Sequence, residues 1–167
     1  MQTADAYGSR TGWRVLLIFC STLLPFFAIA NEVATTADLP TQCDQPRLVT
    51  LYQGATDSAV ALGITPVGVV DAWLEKPTYR YLRDALTNVE HVGLETQPNL
   101  EKVAWLNPDA IIASHFRHER VAPLLSAMAT SVYANTVYDF KTTLALVAEA
   151  SEREQQAQAL LQRWETR

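Results

Sequence analysis

The run Asp109-Ala110-Ile111-Ile112-Ala113 constrains this chain more than any other feature. It is apolar without alternation, as expected of a strand covered on both faces within a parallel sheet. The residues before it read as a short helix, because Leu100, Val103, Ala104 and Leu106 recur at one-face spacing behind an Asn99 N-cap, with Pro98 ahead of it. Asn107-Pro108 ends that helix, since the residue preceding a proline is pushed out of the helical region. Two polar loops flank the unit, Glu95-Thr96-Gln97 and Ser114-His115-Phe116-Arg117-His118, and both emerge at strand ends, where a site is expected.

The same alternation runs through the rest of the chain. Arg47–Leu51 is a first strand, Ala55–Leu62 a short helix stopped by Gly63, and Val67–Val70 a second strand. A loop from Asp71 to Pro77 precedes a helix expected over Thr78–Leu86, with Tyr79, Leu82 and Leu86 on one face. His91–Gly93 is a brief third strand, Val121–Ala129 a helix and Ser131–Ala134 a fifth strand; helices follow over Thr142–Ala150 and Glu152–Trp164. Strands alternating with helices define an α/β fold with right-handed crossovers and a parallel sheet flanked by helices on both faces.

Ahead of this region the chain has a different character. Arg10 and Arg14 precede an apolar run from Val15 to Ile29, and Ala28-Ile29-Ala30 offers the small residues that a signal peptidase accepts. The run is shorter than the roughly 20 residues of a spanning helix and is interrupted by Pro25, so residues 1–30 are expected to be a signal peptide cleaved after Ala30. Export leaves Cys43 as the one cysteine, without an internal disulfide framework. Residues 31–45 form a polar leader, 46–150 an α/β binding lobe and 151–167 a last helical segment. A formal charge of −5, with no basic cluster, argues against nucleic acid as a partner.

Ligands of parallel sheets bind beyond the carboxyl ends of the strands. Four loops are expected there, containing Tyr52, Gln53, Trp73, Thr96, Gln97, Ser114, Arg117 and His118 as ligand-binding candidates. Arg117 is suited to charge-assisted bonds with anionic oxygens, although a surface pair with Glu119 uses the same group. His115 and His118 lack an evident third ligand, so no metal site is expected. An enzyme is not expected either. Ser114 and His115 are adjacent and diverge from an extended loop, and there is no nucleophile elbow, phosphate-binding glycine loop or zinc-type spacing.

The blocks RLVTLYQGATDSAVALGITPVGVVD and VGLETQPNLEKVAWLNPDAIIAS, with the Arg117-His118 pair, resemble the periplasmic substrate-binding proteins of iron-siderophore and vitamin B12 ABC importers, and most nearly their ferric dicitrate-binding branch. The resemblance covers residues 46 to about 165. It implies the N-terminal lobe of a two-lobed clamp, whose lobes are joined by one long helix beginning near residue 151. It also implies a periplasmic location, a ferric siderophore or related chelate as ligand, no separate cofactor, a monomer, and an inner-membrane permease as partner. Glu101 matches the family's permease-docking glutamate.

Two departures stand out. Family members with anionic chelates commonly carry an arginine in the loop before the proline, where this chain has Glu95, and a carboxylate there would repel such a ligand. The chain also stops at Arg167 with no second lobe, so a truncated product is expected. If a full clamp bound at about 10 nM and each lobe supplied half of the free energy, one lobe would retain a dissociation constant of about 0.1 mM. The competing reading is an exported single-lobe interaction or sensor module without a transport role.

Overall fold

The computed structural model describes residues 45–167. The expected signal peptide, Cys43 and nearly all of the polar leader lie outside the described residues. Within them the chain forms β1 (Leu48–Thr50), α1 (Gln53–Ala61), β2 (Gly68–Asp71), β3 (Glu90–Leu94), β4 (Gln97–Pro98), α2 (Leu100–Trp105), β5 (Ala110–Ser114), α3 (His115–His118), α4 (Ala122–Met128), β6 (Thr130–Ala134), α5 (Phe140–Ala150) and α6 (Glu154–Glu165).

The six strands make one sheet in the order β4-β3-β2-β1-β5-β6. All neighbours are parallel except β3 and β4, which form a small antiparallel edge. That edge takes Gln97 from the loop expected at Glu95–Gln97 and leaves Glu95 and Thr96 as the turn between its strands. Gly93 makes it possible: its φ of 95° falls in the left-handed region, and a Cβ there would lie 3.1 Å from the Gln97 carbonyl oxygen.

Burial explains the apolar, non-alternating strands. Leu48, Ala110 and Ile112 point to one face and pack with Ala55, Ala59, Leu144, Val147 and Ala157 from α1, α5 and α6. Val49, Leu51, Ile111 and Ala113 point to the other and meet Val103, Leu106 and Leu125 from the α2 and α4 side. Every residue of β5 is buried. Gly68 shows how closely these layers approach, because an added Cβ would stand 2.6 Å from Leu106 Cδ1.

Two expected elements differ. The helix over Thr78–Leu86 is reduced to a 3-10 turn at Arg80–Leu82, although Leu82 and Leu86 are buried together as their spacing predicts. The side chains of this segment are tied elsewhere: Thr78 Oγ1 lies 3.2 Å from His91 Nε2, and Arg83 Nε donates to the Thr78 carbonyl at 3.3 Å. Conversely, the loop expected at Ser114–His118 contains the one-turn helix α3.

Sheet order determines where the loops gather. From β1 the chain passes to β2 on one side and later returns to β5 on the other, so β1 and β5 flank a topological switch point. The loops beyond their carboxyl ends begin α1 and α3, which places Gln53 and Arg117 beside the crevice such a switch creates.

Candidate functional site

Glu95 is the centre of the loop cluster. Its side chain is only 5% exposed, and both carboxylate oxygens are engaged within the chain. Arg117 Nε donates to Oε1 at 3.2 Å, Trp73 Nε1 donates to Oε2 at 3.3 Å, and the Gln53 backbone N–H reaches the same oxygen at 3.4 Å. One side chain thus joins the loops after β1, β2, β3 and β5. The carboxylate expected to repel an anionic chelate from this position is turned inward and paired with a cation.

The pairing also orients Arg117. Its guanidinium carbon lies 4.8 Å from the centroid of the Phe116 ring and 5.8 Å from that of Trp73. Among the described residues only its Nε is hydrogen-bonded by the protein, so both terminal nitrogens are available to an acceptor. Phe116 and Trp73 are more than half exposed, and the Phe116 ring sits 6.1 Å from that of Tyr138. The result is a cationic fork set among aromatic surfaces, an arrangement suited to a bulky ligand with anionic oxygens.

Trp73 is supported from below. Asp71 Oδ1 lies 2.9 Å from His91 Nδ1, whose other ring nitrogen meets Thr78, and the Ala72 N–H donates to the Pro77 carbonyl at 2.8 Å. The Ala72–Pro77 bond closes the base of the loop. A small pocket of about 160 Å³ opens beside it, lined by Asp71, Trp73, Lys76, Glu95 and Thr96 among others. A larger concavity, about 520 Å³, lies at the opposite end of the sheet, near Arg47, Val67, Glu90 and Trp105. It contains none of the expected ligand-binding residues.

Of the residues expected to touch ligand, Gln53, Trp73, Thr96 and Arg117 come together around Glu95, and Gln97 is exposed on the neighbouring edge strand. Three others do not present themselves. Tyr52 is fully buried, with its hydroxyl donating to Thr143 Oγ1 at 3.1 Å, and burial raises its pKa. Ser114 is buried and caps α3 by accepting from the Arg117 N–H at 3.3 Å.

His118 is also fully buried. Its Nδ1 accepts from the Ser114 N–H at 3.1 Å and its Nε2 bonds the Glu95 carbonyl at 2.8 Å, which requires the neutral imidazole with the proton on Nε2. Burial lowers its pKa, against the hydrogen bonds and the Glu95 charge, which raise it. All three side chains are buried, with their polar atoms bonded within the chain. His115 instead stacks on Tyr133 at 4.8 Å, so the two histidines diverge.

Phe116 and Tyr138 were not among the expected site residues. Tyr138 follows β6, whose carboxyl end carries a fifth loop by the same rule that located the other four.

Residues 48–167 match the family model described as periplasmic binding protein. The chain is 51% identical over 154 residues to the achromobactin-binding periplasmic protein of Dickeya dadantii, covering 92% of this chain and 49% of that protein. It is 30% identical over 129 residues to the Fe(3+) dicitrate-binding periplasmic protein FecB of Escherichia coli, covering 72% and 42%. The crystal structure of Staphylococcus aureus SirA complexed with staphyloferrin B superposes with a TM-score of 0.71 at 45% identity, over 72% of this chain and 41% of that one. The chain therefore spans about half the length of the curated relatives it matches.

Proposed function

The chain belongs to the periplasmic binding protein family, and from that premise we propose that it captures a ferric siderophore in the periplasm and delivers it to the inner-membrane permease of an ABC importer. One observation carries the reading: Arg117, held through Nε by Glu95, keeps its guanidinium beside the Trp73 and Phe116 rings at the carboxyl ends of the strands, with no protein partner on its terminal nitrogens among the described residues. Such a fork binds the oxygens of an anionic chelate, while the rings cover its apolar parts. The similarity to proteins named for achromobactin, ferric dicitrate and staphyloferrin B supports this ligand class. Those relatives are binding proteins, which favours capture over catalysis.

Glu101 is the proposed permease contact. It is exposed in the first turn of α2, where its charge also favours the helix N-terminus. Neither role involves the Arg117 cluster.

The reading is tested by titrating the full chain with ferric citrate, ferric catecholate, ferric hydroxamate and cobalamin into the millimolar range, following tryptophan fluorescence. Quenching by a ferric siderophore, weakened at least tenfold by Arg117→Ala, is expected, with circular dichroism confirming that the variant is folded. Glu101→Arg should leave that binding intact and lower chelate uptake by cells. A folded chain that responds to none of the four compounds would sink the proposal.

A further inference from the structure

Glu95 is an unusual residue to place beneath an arginine that must attract an anion. The two bonds on Oε2, from Trp73 and Gln53, could be accepted by a neutral amide oxygen, but the bond from Arg117 Nε to Oε1 needs the second carboxylate oxygen, since an amide nitrogen would set donor against donor there. The acid must therefore be read for its charge as well as its shape. His118 cannot neutralise it, because that ring is buried, neutral and bonded to the Glu95 backbone carbonyl. Asp71, the other acid lining the small pocket, lies 2.9 Å from His91 Nδ1. Lys76 also lines the small pocket, but among the described residues Arg117 is the cation in ion-pair contact with Glu95, and its terminal nitrogens have no protein partner.

We propose that Glu95 is a specificity-determining residue, which by compensating Arg117 sets how much negative charge a chelate brings to these loops. The inference rests on the siderophore-binding reading above. An isolated arginine would favour the most highly charged ferric complex available. The Glu95–Arg117 pair offers directed N–H donors with little net field, so selection shifts towards chelates whose oxygens fit the fork. A unit charge a few ångströms from a bound anion at a partly buried site changes affinity by roughly an order of magnitude.

The test is a ratio. Full-chain protein is titrated with anionic ferric citrate and with uncharged ferrichrome, and the ratio of their affinities is compared among variants. Glu95→Gln keeps an acceptor for Trp73 and Gln53 but uncovers the cation, and should raise the citrate-to-ferrichrome ratio about tenfold. Glu95→Asp retains the charge on a shorter stem and should leave the ratio near its starting value, even where both affinities fall. Arg117→Gln leaves the carboxylate uncompensated and should lower the ratio by a similar factor; adding Glu95→Gln to that variant should recover most of the loss, and an unchanged ratio in the double variant overturns the inference even where Glu95→Gln alone fails to fold.

Parallel loss of both affinities in Glu95→Gln, with the ratio unchanged, would reduce Glu95 to a positioning residue and overturn the inference while the proposed function stood. Failure of the unaltered chain to bind either chelate would overturn both.

Discussion

His118 carries a pH dependence whose sign follows from its surroundings. The folded imidazole is neutral, and its pKa is lowered chiefly by burial. In the unfolded chain the ring takes a proton near pH 6.5, so below that value the unfolded state binds more protons than the folded one. Its contribution to stability is therefore complete above pH 6.5 and is lost as pH falls towards the folded value, with a slope of at most about 1.4 kcal/mol per pH unit. Denaturant melts at pH 7.5 and 5.5 should show the unaltered chain losing more stability than His118→Gln across that interval. Equal losses would mean that the buried ring does not titrate on unfolding. The histidine was legible in the sequence as part of the site, but its role was not, because its partners are the Glu95 carbonyl and the Ser114 N–H rather than a ligand.

Local chemistry and tertiary contacts separate clearly among the elements. Asn99 was readable as the N-cap of α2, and its Oδ1 accepts from the Lys102 N–H at 3.0 Å. Asn99→Ala should cost about 1 kcal/mol of stability, measured as a lower urea midpoint at unchanged slope. An unaltered midpoint would mean that the β3–β4 edge, through the Asn99 N–H to Val92 carbonyl bond of 2.6 Å, holds the start of α2 without the cap. The segment from Thr78 to Leu86 shows the reverse case. Its apolar spacing correctly identified Leu82 and Leu86 as buried, yet the backbone follows the tethers from Thr78 to His91 and Arg83 instead of completing a helix. The one-turn α3 was missed because Ser114 and His118 stabilise it jointly, and a pattern of four residues has no periodicity to read.

At the scale of the whole molecule, the carboxyl-end loops should couple ligand binding to stability. Anything that binds only the folded state stabilises it by mass action, and with a dissociation constant of about 0.1 mM a 1 mM chelate should add about 1.4 kcal/mol. That predicts a rise of a few degrees in the thermal midpoint with ferric citrate, absent with iron-free citrate at the same concentration if the ferric complex is the species bound. Such a rise should vanish in Arg117→Ala. The sequence by itself determined the α/β class, the parallel core and the end of the sheet where the loops collect, because hydrophobic burial and backbone capping act on residues close together in the chain. Only the tertiary structure decided that Glu95 faces inward to Arg117, that Trp73 joins them, and that Tyr52, Ser114 and His118 are buried. The direction of a side chain and the partner of a charge depend on which strands become neighbours. Here β1 stands between β2 and β5, and that adjacency brings together residues as far apart as Gln53 and Arg117.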